Sequence, residues 1–585
     1  MKHLGAALLL LGTGLAVACG DTQGDDSSSA CRDRNCPAGG AGGGGQESAG
    51  APSGRASGND GGASEAGALN GLAGEAGASS GAAGAGVAGG AGNAGEAGAA
   101  GAAGALTTES RTWGMAQSAS HEQMDDALAN GAQELAVAGD DSAFTIWKSN
   151  AAGFPVYVSR YTPDGAWSEP ALLDADSGDR NGVVIAAEHD GDAIAVWLRV
   201  TAAGSEIRAA RYHAGWQPSQ VISALTDSVD PVLQIVSNPN GDYFVAWAQA
   251  SAVGGPTRKQ IAHYLHDQGW QPLFAPSCAL EADPSTAVPF GPLTASINPR
   301  GDALFSWFDS GLLLGSYLFT ERYLADGGFQ PCEAAVPQRN GQSLTHAQAL
   351  DDAGRGFLVW NQGSDYNDAP NGEIDASTFD GAWSAPVTVS GYGEGPVLAA
   401  SDAAGHLIVA WPERRFIGTV MVSTSQLGGP WSNGLFDAEI GPFSARTGLA
   451  SAPVLSMSRS GTALLAWQVT PLGGAQTTSM FATSWRFESG FAKQTLISTG
   501  QVRDYVSVVS DPEGNGMLLW RSGRAAGMPL LQAARYRPSM GWQTPALDVA
   551  SEAGDLPILA AGESGELVAV WYGAYPYAAG ATVFR

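Results

Sequence analysis

Pro396-Val-Leu-Ala-Ala-Ser401-Asp402-Ala-Ala-Gly405-His-Leu-Ile-Val-Ala-Trp411 decides the fold. A short apolar run enters a turn of Asp and Gly, and a second run leaves it and ends on Trp. Asp bonds the turn backbone and Gly accepts positive φ, so the stretch reads as a hairpin of two buried strands. The pattern Gly-x-(small or apolar)-x-x-x-Trp recurs at Trp147, Trp197, Trp247, Trp307, Trp360, Trp411, Trp467, Trp520 and Trp571, about 50 to 60 residues apart. After each Trp comes a loop and an alternating segment such as Leu531-Gln-Ala-Ala-Arg-Tyr536. Then follow a Gly turn and a last short run, as in Gly541-Trp542-Gln543-Thr544-Pro545. Each unit therefore predicts four strands.

A second aromatic series, Trp167, Trp216, Trp270, Phe329, Trp383, Trp431, Phe491 and Trp542, is one member short. The ninth unit stops at Phe584-Arg585, the end of its third strand, and Thr112-Trp113-Gly-Met-Ala116 supplies a fourth strand at the start of the chain. A chain that begins with a fourth strand and ends on a third is a ring closed by its termini. The expectation is an all-β protein with a single β-propeller of four-stranded blades, nine by this count and eight if one irregular unit stands outside the ring. A linear solenoid would need capping units. Only Trp485 falls outside the two series. The repeated Trp are expected to pack sheet against sheet.

The turns Ser401-Asp402-Ala-Ala-Gly405, Ser510-Asp511-Pro-Glu-Gly514 and Asn238-Pro-Asn-Gly241 resemble those of WD-repeat, NHL and TolB-type propellers, and more loosely the Asp-box turns of sialidase-type propellers. The likeness is one of repeat architecture over 112–585. Trp411 follows Gly405 by six residues, further than the sialidase Asp box sets its aromatic, and that family's arginine triad has no counterpart.

The opening residues give an address. Lys2 precedes an apolar stretch, Leu4 to Ala18, of signal-peptide length. It ends at Ala16-Val17-Ala18-Cys19, which resembles the lipobox of bacterial lipoproteins. The resemblance implies cleavage after residue 18, diacylglycerol on Cys19, and a cell-envelope location anchored by lipid. Gly20 rather than Asp after the cysteine favours the outer membrane. Residues 19–106 are rich in Gly, Ala and Ser and bury too little to offset backbone entropy, so they predict a disordered tether. Domains follow: 1–18 signal, 19–106 tether, 107–585 propeller. With Cys19 acylated, Cys31, Cys36, Cys278 and Cys332 remain, an even number for an oxidising compartment. Cys31 and Cys36 suit a local loop, and Cys278 and Cys332 could meet across neighbouring units; four cysteines allow three pairings.

A formal charge of −28 argues against nucleic acid as a partner. No catalytic residue and no metal or cofactor site emerges. The eight His are spread singly, with His263 and His266 on a strand and its turn, and no HExxH, GxSxG or Walker pattern appears. Asp125-Asp126, Asp140-Asp141 and Asp351-Asp352 read as solvated turn residues, and Arg300-Gly301-Asp302 fills a hairpin turn. Specificity is expected in what differs between units, above all the loops after each second strand. The candidate binding residues are Tyr366, Arg414, Arg415, Phe416, Tyr575 and Tyr577. The expected role is an envelope-anchored module binding a glycan or protein. A structural part of an envelope assembly and a polysaccharide-acting enzyme of sialidase or lyase type are the alternatives.

Overall fold

A computed structural model describes residues 117–118, 133–149, 151–163, 165–179, 181–226, 228–230, 232–250, 257–278, 293–311, 315–339, 343–362, 372–391, 393, 396–413, 419–432, 448–450, 453–471, 478–524, 527–550, 557–562, 564–572 and 579–584. They form nine antiparallel blades of a β-propeller. Strands within a blade are named A to D from the centre outward. In blade 4, A is Thr294–Ile297, B is Ala303–Gly311, C is Gly315–Leu324, and D is split into Gly328–Phe329 and Glu333–Arg339. The A strands of successive blades touch one another all the way round, with Ile558–Ala561 of blade 9 against Gln133–Val137 of blade 1. Blades 7 and 8 share one long strand, Thr495–Ser510: its first part is the outer strand of blade 7 and its second part the inner strand of blade 8.

The ring closes with an N-terminal strand in the last blade, as the aromatic count requires. Gln117–Ser118 pairs antiparallel with Ala581 and Gly580 of Ala579–Phe584, completing blade 9. The expected closing residues, 112–116 with Trp113, lie outside the described residues. The first unit departs from the turn pattern. Asp141 stands where later units have Gly, and it adopts the same left-handed backbone, φ 63° beside 81° at Gly241. Asp is one of the few residues that tolerate this region.

The B-strand Trp are buried to between 0 and 4 % exposure and, Trp147 apart, sit in the apolar clusters between blades, as Trp247 does at the 2–3 seam and Trp411 at the 5–6 seam. Sheet-against-sheet packing is thus observed. Trp485 belongs to a third aromatic series that closes the C strand of every blade but the sixth, where Ser425 stands, and that pairs in several blades with the D-strand aromatic of the same blade. Examples are Tyr161–Trp167 at 5.5 Å, Tyr264–Trp270 at 5.4 Å, Trp485–Phe491 at 6.4 Å and Tyr536–Trp542 at 5.4 Å between ring centroids. Cys278 and Cys332 form a disulfide that joins the segment after blade 3 to the outer strand of blade 4. Cys19, Cys31 and Cys36 lie outside the described residues.

Candidate functional site

The two faces of the ring are built differently. On one face the A–B connections are uniform, four or five residues between strand ends, as in Val137 to Ala143 or Ser401 to His406. On the other face the B–C connections range from two residues, between Thr201 and Gly204, to ten, between Gln362 and Glu373. Tyr366, Arg414, Arg415, Phe416, Tyr575 and Tyr577 all belong to these longer B–C loops and lie outside the described residues.

The uniform face is an interlocked circle of turns. Asn238, Asn298, Asp351, Asp402 and Asp511 each accept the backbone N–H of a residue four further on, fixing the turn. Asp351 corrects the solvated reading of the acidic pairs: it is buried and held by Arg355, while its neighbour Asp352 pairs with Arg459 two blades away. Asp140 is exposed as expected, and Asp125-Asp126 lies outside the described residues. Arg300 binds Asp302 of its own turn at 2.9 Å.

Between blades, one C-strand position repeatedly sets a cationic group over an aromatic ring of the next blade. Arg160 lies 5.1 Å from the Tyr212 centroid, Arg211 5.5 Å from Tyr264, Arg322 3.6 Å from Phe379 and Arg535 4.9 Å from Phe584. Such contacts contribute about 0.5–2 kcal/mol each. Blade 3 puts His263 there, edge-on to Tyr323 at 4.6 Å, with burial pushing its pKa down to about 4.

The 2–3 seam extends this staple into a polar cluster on the turn face. Arg211 Nη2 donates to Asp192 Oδ2 at 2.7 Å and lies 3.6 Å from Glu188 Oε1. His213 Nδ1 meets Asp192 Oδ2 at 2.7 Å, and His266 Nδ1 meets Glu188 Oε2 at 3.0 Å. Glu188 is only 4 % exposed, whereas the His213 and His266 side chains are 61 and 40 % exposed. The Tyr243 hydroxyl is buried beside Glu188, and burial, followed by that carboxylate, holds its pKa well above the phenol range. Each imidazole is thus oriented through Nδ1 by a buried carboxylate, an arrangement that fixes the ring and leaves its far edge to a partner. These residues come from separate strands and turns. In sequence only the similar places of His213 and His266, one and two residues past the C-strand aromatics Tyr212 and Tyr264, hinted at them. Among the described residues no group of three or more His, Cys, Asp or Glu is arranged to hold a metal.

A second buried polar network occupies the 4–5 seam. Ser306 Oγ donates to Gln348 Oε1 at 2.6 Å, Gln348 Nε2 donates to the Leu304 carbonyl at 2.7 Å, and His346 Nε2 lies 3.0 Å from Thr294 Oγ1. Burial pushes His346 down to about 4.

No known family profile and no curated protein matches the chain. Among solved structures, the BP39L lectin from Burkholderia pseudomallei is 14 % identical, with 72 % of this chain and 98 % of the lectin covered, at a TM-score of 0.37. An ulvan lyase is 11 % identical over 66 % of this chain and 88 % of its own, at 0.35. The β-propeller domain of the Trilobed protease from Pyrococcus furiosus is 8 % identical over 72 and 97 %, at 0.34. Likenesses of this order carry no functional argument; the propeller stands on its own strand pairing.

Proposed function

We propose that this chain is an envelope-anchored lipoprotein whose propeller is a binding module for a glycan or protein ligand, engaged through the B–C loop face. One observation carries the reading: turns of four or five residues on one face and loops of two to ten residues on the other, over a single ring. A repeated scaffold needs uniform turns, whereas loops that differ from blade to blade have been freed from that duty. Lipid on Cys19 and the 19–106 tether would hold the ring at a membrane surface. No helix among the described residues is long and apolar enough to cross a membrane.

The test is a glycan array and an envelope-protein pull-down with the full chain and with Arg414→Ala, Arg415→Ala, Tyr575→Ala and Tyr577→Ala. At least one of these should weaken binding by more than about 1 kcal/mol, roughly fivefold, with the fold intact. Binding that survives all four, or that is lost only in His213→Ala or His266→Ala, would reassign the ligand to the turn face. In parallel, Cys19→Ser should release the protein from the membrane fraction.

A further inference from the structure

Register alignment of the nine blades exposes one position where the repeat breaks in a way packing does not require. The C-strand residue opposite the B-strand residue two before Trp is small in eight blades: serine in blades 1, 5 and 6, threonine in 7 and 9, alanine in 2, 3 and 8. Where it is hydroxylated, as at Ser159, Ser377 and Ser423, its Oγ donates to a carbonyl just past the C–D turn of its own blade, at 2.8, 2.8 and 2.6 Å. Blade 4 alone has a carboxylic acid there, Glu321, opposite Phe305.

Glu321 is 0 % exposed, and among the described residues neither carboxyl oxygen has a hydrogen-bond partner. Its neighbours two residues either side on the strand, Phe319 and Tyr323, pack into the 3–4 seam with Phe244, Ile261 and Phe305, whereas Thr320 and Arg322 face blade 5. Strand alternation therefore points Glu321 at blade 3. Among the described residues five titratable or charged groups belong to this seam: His263 and Lys259 on the C strand of blade 3, Asp242 in its A–B turn, and Tyr317 and Tyr323 on the strand of Glu321 itself. None of them hydrogen-bonds the carboxyl, and Glu333 on the outer strand is exposed. The same seam carries the Cys278–Cys332 disulfide, the cross-link that keeps its two blades tethered.

We propose that Glu321 makes the 3–4 seam an alkali-sensitive opening of the ring, closed while the acid is protonated and loosened when it ionises, with the Cys278–Cys332 bond limiting the separation. A neutral carboxylic acid without partners is tolerable in an apolar seam; a carboxylate without partners is not, and must draw in water. Burial alone pushes this carboxyl up to about 8. The folded pKa exceeds the unfolded value near 4.5. The seam is therefore at full strength below pH 4.5 and weakens as pH rises through about 8. His263 weakens it in the opposite direction, between pH 6.5 and 4, so the two effects separate.

Hydrogen exchange of the full chain tests this between pH 6.5 and 8, above the His263 range. Peptides spanning 257–265 and 303–324 are read after correction for intrinsic base catalysis, with 516–537 of blade 8 as reference. In the wild type the opening constant of the seam peptides should rise several-fold per pH unit, at most tenfold, and level off above pH 8. Glu321→Gln, and Glu321→Ser, which restores the residue of blades 1, 5 and 6, should abolish the rise. A flat wild-type profile, or the same rise in both variants, would overturn the proposal. Neither result bears on which face binds ligand.

Discussion

Replacing Gly241 by alanine separates two costs that a turn glycine can carry. Gly241 (φ 81°) lies in the A–B turn of blade 3, and Gly269 (φ 75°) in the C–D turn of the same blade. Alanine at either position must adopt the left-handed backbone, about 1–2 kcal/mol. At Gly269 the new Cβ meets nothing within 4 Å, so the cost ends there. At Gly241 it would overlap Glu188 Oε2 and His266 Nδ1. Relief requires moving a carboxylate that is 4 % exposed and held at the 2–3 seam, and breaking its bond to His266. Losing one partner of a buried pair costs about 3–5 kcal/mol; with His266 two-fifths exposed, about 2–3 kcal/mol is the expected addition. For a cooperative unit of roughly 450 residues, 1 kcal/mol corresponds to about 1 °C of melting temperature. Gly269→Ala should therefore melt about 1–2 °C below wild type and Gly241→Ala about 3–5 °C below, by calorimetry at pH 7. Equal losses would show that the turn circle does not lock blade to blade through its side chains.

Two further outcomes follow. A chain starting at residue 119 lacks Gln117–Ser118 and leaves the Ala579–Phe584 edge unpaired; it should melt lower and aggregate, while a chain starting at 107 should behave as full length, and matching melts would argue against closure through this strand. His263 and His346, both pushed down to about 4 by burial, stay neutral in the ring while the unfolded chain takes up protons near 6.5. Their stabilisation is complete above pH 6.5 and lost as pH falls toward 4, so His263→Phe with His346→Gln should flatten the acid limb of a melting-temperature profile, and an unchanged limb would refute it.

Much of this was readable because a propeller repeats its instructions. The Gly-to-Trp spacing and the two aromatic series point to strand type and a ring of nine or eight blades without any long-range information; the strand pairing decides for nine. Closure by an N-terminal strand in the last blade was legible because the second aromatic series is one member short, and Gln117–Ser118 supplies that pairing. Trp485 looked anomalous because its series mixes Tyr, Phe and Trp, and alignment by residue type hides what alignment by register shows. The 2–3 cluster was invisible because Glu188, Arg211, Tyr243 and His266 are scattered along the chain and meet only across a seam.

The sequence by itself determined the periodic part of this protein, since local turn chemistry and alternation act over a few residues and recur nine times. Tertiary structure alone decided the aperiodic part: the four arginines set over next-blade rings, the Cys278–Cys332 bond, the paired imidazoles, and the burial of Glu321 with neither oxygen bonded among the described residues. Those depend on which faces adjacent blades press together. A residue's charge and size are written in the sequence, but whether water or a neighbouring sheet surrounds it is settled only when the ring closes.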